Sequence, residues 1–145
     1  MKPLLCKAGQ QLREQIDDAC PDRDRKSDGW IADARHAKAG TSDHIPDPIN
    51  GNVRGLDVDA NLDSRTDTSI YLANQIRLCA KAGDKRIKYV IHFGKIASKK
   101  SLWRFIKYRG SNPHHSHIHV SFNKEGDTNG RWFEIPMLGA GNENN

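Results

Sequence analysis

Four of the chain's seven histidines fall within six residues, in the run Asn112-Pro113-His114-His115-Ser116-His117-Ile118-His119-Val120-Ser121-Phe122. Imidazole is the commonest protein ligand for zinc and the commonest general acid or base near neutral pH, so this cluster points to metal binding, proton transfer or both. Read alone, the same residues also describe a solvated, histidine-rich loop running into an ordinary strand. From Ser116 onward polar and apolar residues alternate, which is the period of a half-buried strand. His117, His119 and Ser121 then share one face, and Ile118, Val120 and Phe122 the other. With the apolar face on a core, two imidazoles stand on the opposite face, about 6.6 Å apart along the strand.

Carboxylates and a further imidazole lie upstream. His44 falls in a loop, Thr41 to Asn52, rich in Pro, Asp, Asn and Gly. The stretch from Val53 to Asp59 alternates strictly: Val53, Gly55, Asp57 and Asp59 take one face, and Arg54, Leu56 and Val58 the other. If these segments meet the histidine strand, two imidazoles and one carboxylate become available. Three such ligands with a water in the fourth position form a catalytic zinc site. A metal so held lowers the pKa of its water and polarises the carbonyl under attack. Taken singly, His44 reads as a solvated loop residue, and Asp57 and Asp59 as strand-end carboxylates with nearby lysine partners. His36 and His92 belong to no spaced motif, and His92 lies inside an apolar run, so both read as structural.

The elements that must position these groups are legible in outline. Leu5, Ala8, Leu12 and Ile16 recur at helical steps, predicting a helix from Pro3 to about Asp18 that ends before Pro21. A second helix is predicted from Asp67 or Thr68 to about Lys81, with Leu72, Ile76, Cys79 and Ala80 as its buried stripe and Gly83 past its end. Tyr89 to Phe93 reads as a strand, with Gly94-Lys95 turning into a partner at Ile96 to Ser98. Shorter elements are expected at Trp30 to Asp33 (strand), at Arg35 to Gly40 (irregular or one helical turn) and at Leu102 to Ile106 (helix or strand). Trp132 to Ile135 packs back on the core, and Gly139 to Asn145 reads as disordered. The order predicts a single α+β domain over residues 1–145, a small and mainly antiparallel sheet flanked by helices.

Composition narrows the function classes. The 145 residues allow one domain with a real core, and a net charge of +5 favours an anionic partner such as nucleic acid or a bacterial envelope. Mean hydropathy is −0.78, so the core must be compact. Cys6, Cys20 and Cys79 form neither a disulfide framework nor a cysteine zinc site, although a single Cys6–Cys20 bridge stays open. No run approaches the roughly 20 apolar residues of a membrane span, and Met1 to Cys6 is too short for a secretory signal.

Five short motifs, taken in order, resemble the LAS group of zinc metallopeptidases: Ser27 to Ile31, Ser42 to Pro46, Val53 to Asp57, Tyr89 to Ile91, and Pro113 to Ser121. That group includes lysostaphin-type enzymes, D-alanyl-D-alanine carboxypeptidases, penicillin-insensitive murein endopeptidases and the hedgehog signalling domain. The chain is most similar to the peptidase domains of bacteriophage endolysins, over roughly residues 3–122. The resemblance implies a hedgehog/DD-peptidase-like fold and a zinc ion held by His44, Asp57 and His119. His117 is implied as the imidazole that steadies an oxyanion or shuttles a proton, and His114 as the general base. His44 and Asp57 stand further apart than in most members, because residues 45–52 form an insertion that the phage-type sequences share. Many carboxypeptidase members use an acidic base, and no acidic residue lies between Gly110 and Phe122.

The resulting expectation is a monomeric, zinc-dependent peptidoglycan endopeptidase that cuts stem peptides or cross-links. It would be made in the host cytoplasm without a signal peptide, and released through a holin-like pore or carried in a virion. Neither nucleic-acid binding nor membrane insertion is expected. Two other classes compete. One is a zinc-bound but non-catalytic module of the same fold. The other is a basic nucleic-acid binder using Trp103, Arg104, Phe105, Lys107, Tyr108 and Arg109.

Overall fold

The structure is a computed structural model that describes residues 2–31, 42–110 and 112–139. His36, the Arg35 to Gly40 segment, the second half of the Trp30 to Asp33 strand and the tail beyond Gly139 lie outside the described residues. The architecture is α+β: five antiparallel strands and, among the described residues, two α-helices.

Leu4–Leu5 forms β1, and α1 follows at Lys7–Ala19. The predicted helix therefore starts four residues late. Leu4 N–H donates to the Gly51 carbonyl and Cys6 N–H to that of Val53. These bonds make β1 a parallel partner of β2 (Asn52–Val53) and leave Pro3 ahead of the pair rather than in the first helical turn. Helix α1 buries Ala8, Leu12, Gln15 and Ile16.

The main sheet runs β3 (Gly55–Asp59), β7 (His117–Phe122), β4 (Ile87–His92), β5 (Lys95–Ser98), β6 (Ile106–Lys107) in spatial order. Helix α2, Thr68–Lys81, occupies the predicted span, and Gly83 past its end adopts φ +120°. On the core face, Leu56, Val58, Val90, Ile118, Val120 and Phe122 pack against both helices, while the histidines of β7 stand on the other face. Arg54 breaks the predicted alternation. It falls between β2 and β3, where its guanidinium pairs with Asp47 at 2.9 Å and Asp127 at 2.6 Å instead of joining the apolar face.

Strands β4 and β5 are joined by a two-residue turn, Phe93-Gly94, one position earlier than the sequence suggests. Both residues have positive φ, +50° and +73°, as a type I′ hairpin turn requires. The Leu102 to Ile106 stretch is neither a helix nor a full strand. A 3-10 turn at Lys99–Ser101 ends in two left-handed residues, Leu102 and Trp103, before β6. Trp30 forms no strand of its own, and only Gly29 bridges to β3, at Asp57. The C-terminal segment does pack back, with Phe133 and Ile135 fully buried. The three cysteines are free, so no Cys6–Cys20 bridge forms. Among the described residues no helix is long and apolar enough to cross a membrane.

Candidate metal centre

Antiparallel pairing of β3 with β7 sets Asp57 opposite His119 and Asp59 opposite His117. Facing residues of paired strands share a face, so the Asp57 carboxylate and the His119 ring meet directly: Oδ1 lies 2.9 Å from Nδ1. His44 arrives from the preceding loop, with Nε2 3.2 Å from Asp57 Oδ2. His117 Nε2 is 3.5 Å from Asp57 Oδ1, and the His114 ring stands edge-on to His117 with centroids 4.7 Å apart. One carboxylate thus has four imidazoles around it.

Each of the two closest rings has its other nitrogen engaged, which fixes its tautomer. His44 Nδ1 is 3.0 Å from the Trp30 carbonyl, which can only accept, so the proton is on Nδ1 and Nε2 turns a lone pair on Asp57. For His119 the assignment runs through three residues. Tyr89 donates its hydroxyl hydrogen to Asp43 Oδ2 at 3.0 Å. Ser121 then donates to the Tyr89 oxygen, so its own oxygen accepts from His119 Nε2–H at 2.7 Å. His119 Nδ1 is left bare toward Asp57. Two ring lone pairs against a carboxylate repel unless a proton or a metal ion lies between them. Burial lowers the proton affinity of His44, but the hydrogen bond and charge of Asp57 outweigh it and the net shift is upward. Burial works against the Asp57 anion, yet His119 and His44 hold it well below the usual carboxylate range.

These three side chains each offer a ligand atom within 4.8 Å of the others, as a metal site requires. The donors are nitrogen and carboxylate oxygen with no thiolate, a set that suits zinc. Asp59, which the strand pattern left as an alternative to Asp57, is used differently. It is 5 % exposed, and its carboxylate accepts the backbone N–H groups of Ser27 and Asn61 at 2.8 Å each.

His114 and His117 stay apart from that set. Burial pushes His114 down to about 4, helped by the charges of His119 and His117, and burial also lowers His117 against the pull of Asp57. Both rings are neutral at pH 7, and neither His114 Nδ1 nor His117 Nε2 has a hydrogen-bond partner. His115 is exposed and stacks on Phe93, centroids 4.9 Å apart.

His92, read from the sequence as structural, is buried and braces the loop that carries these histidines. Its Nδ1–H donates to the carbonyls of His114 (2.9 Å) and His117 (3.0 Å), so Nε2 accepts from Ser69 on α2 at 2.9 Å. Phe93 and Gly94 add backbone bonds to the His114 and Pro113 carbonyls. No pattern in the sequence marks His92 or Ser69, because His92 is held by backbone carbonyls of a distant loop and Ser69 meets the His92 ring across two elements. The five motifs themselves converge here: the first supplies the Trp30 carbonyl, the second Asp43 and His44, the third Asp57, the fourth Tyr89, and the fifth the histidines with Ser121.

No family model, no curated protein and no solved structure matches the chain.

Proposed function

We propose that this protein is a zinc-dependent peptidoglycan endopeptidase of the phage endolysin type, with a hedgehog/DD-peptidase-like fold. It would hydrolyse amide bonds in cell-wall stem peptides or cross-links. The observation that carries the reading is the convergence of His44, Asp57 and His119, each offering a ligand atom within 4.8 Å of the others, beside two neutral imidazoles whose buried nitrogens, His114 Nδ1 and His117 Nε2, have no hydrogen-bond partner. A zinc ion held there supplies Lewis acidity, which activates water and polarises the scissile carbonyl. His44 and His119 present fixed lone pairs, and Asp57 brings the negative charge. His114 Nδ1 takes the proton of the attacking water and returns it to the leaving amine. His117, with its proton on Nε2, donates to the developing oxyanion. A net charge of +5 favours approach to a polyanionic wall. A non-catalytic zinc module would have no use for two neutral imidazoles that each keep a buried nitrogen, His114 Nδ1 and His117 Nε2, without a hydrogen-bond partner.

The test is digestion of purified peptidoglycan followed by mass spectrometry of the fragments, with zinc content measured on the same sample. About one zinc per chain is expected, together with new peptide termini and loss of both on exhaustive chelation. Full activity in a metal-free sample, or an unaltered fragment pattern from a zinc-loaded one, overturns the reading.

A further inference from the structure

The carboxylate of Asp57 has ring nitrogens on both sides. Oδ2 faces His44, while Oδ1 faces His119 and also His117. Asp57, His114 and His117 make a second triad whose ligand atoms lie within 4.8 Å of one another, by the same measure as the first. His114 is 8 % exposed with Nδ1 unpartnered, and His117 Nε2 is unpartnered as well. Buried polar nitrogens without partners are uncommon and carry a desolvation cost that a ligand would relieve. His117 is free to turn Nε2 into an acceptor, since its proton can move to Nδ1, which faces Ser116 Oγ at 3.5 Å.

We infer that Asp57, His114 and His117 form a second divalent-cation site, sharing Asp57 as a bridge, and that filling it switches the enzyme off. The inference rests on the peptidase reading, in which His114 and His117 act as base and oxyanion donor. A cation on their nitrogens removes both functions at once. The site is the weaker of the two. A single carboxylate would have to serve two cations, and the nearest other acids are already engaged: Asp59 by backbone N–H groups, and Asp43 by Tyr89 and Lys88. Two like charges sharing one counter-charge repel at short range, so the second ion binds after the first and more loosely.

Zinc itself is the probe, titrated into chelator-stripped full-length protein by calorimetry, with cobalt(II) absorption as a second readout. Wild type should show a tight event near one equivalent, then a separate, weaker one. Peptidoglycan cleavage should rise over the first event and fall by about 10²-fold or more over the second, the loss expected when a general base is blocked. His114→Gln and His117→Gln should each keep the tight event and lose the weak one, and the Ala variants should agree. A single event up to millimolar zinc, or a weak event that survives the His114→Gln/His117→Gln pair, overturns the second site and leaves the peptidase reading standing. Absence of the tight event in wild type overturns both.

Discussion

Asp57 and Asp59 are two residues apart on one strand and alternate onto the same face, yet their surroundings give them different work. Asp57→Ala should purify without stoichiometric zinc. Asp59→Ala should retain zinc but lose about 1 kcal/mol of stability for each of the backbone hydrogen bonds from Ser27 and Asn61 that it removes. Metal analysis alongside urea unfolding separates the two, and the reverse pattern would mean that Asp59 is the ligand. The histidines divide in the same way. His114→Ala and His117→Ala should keep the tightly bound zinc and the fold while losing on the order of 10² to 10⁴ in rate. His115→Ala should be nearly silent, because its ring lies outside on Phe93. Assay of purified variants checks this, and a His115 variant as impaired as that of His117 would refute the division. Residue types and spacing were enough to nominate the donors. What they lacked was the direction of each ring, which depends on the Trp30 carbonyl and on the Tyr89–Ser121 chain, contacts that cross several elements.

At the scale of elements, the site depends on how closely the His44 loop lies against β3. A methyl group added at Gly55 would stand 3.0 Å from the Asp43 carbonyl carbon and 3.1 Å from His44 N. The obstacle is backbone, so the loop must move. Gly55→Ala should therefore displace His44 and lower zinc affinity by about 10- to 100-fold, the range seen when groups that orient a metal ligand are disturbed. Competition titration against a chromophoric chelator measures this, and unchanged affinity would show that the loop yields without moving the ring. Strands β3 and β7 and helix α2 were readable from periodicity because each buries one face in the common core, and β4 from its apolar run, although it begins at Ile87 rather than Tyr89. The short pieces escaped for a physical reason. β1 and β2 are two residues each and exist through pairing with one another, which no local pattern encodes. The turn between β4 and β5 places Phe93, an unusual residue for positive φ, where Asn or Gly is the usual signal.

Across the whole molecule, the last described residues are held to the fold by polar side chains, among them Gln75 on α2, which accepts the Met137 N–H at 2.8 Å. Gln15 on α1 exchanges both amide hydrogen bonds with the Phe133 backbone, at 2.8 and 3.0 Å. Arg86, only 2 % exposed, forks onto Asp84, donates to the carbonyls of Arg131 and Trp132, and lies 3.7 Å over the Phe133 ring. Removing one partner of a buried ion pair strands the other, so Arg86→Ala should cost about 3–5 kcal/mol in denaturant unfolding. Burial raises the Asp84 pKa, but the Arg86 hydrogen bonds outweigh this and hold it below its ordinary value. A depressed carboxylate stabilises the fold above its unfolded pKa of about 3.9 and loses that contribution as pH falls through the folded value. The stability gap between wild type and Arg86→Ala should therefore narrow below about pH 4. A gap that stays constant into strong acid would remove Asp84 from the account.

The tip of the β4–β5 hairpin offers a way to watch the histidine loop without touching it. The amides of Phe93 and Gly94 donate to the His114 and Pro113 carbonyls at 3.2 and 2.7 Å, so their hydrogens exchange with solvent only when the loop lifts away. Neither amide contacts the proposed metal ligands. In a deuterium-exchange experiment both should remain protected in the chelated protein and in Asp57→Ala, yet become labile in His92→Ala. The two amides would thus act as a clock for loop opening, timing how often the His114 loop lifts away whether or not a metal is bound.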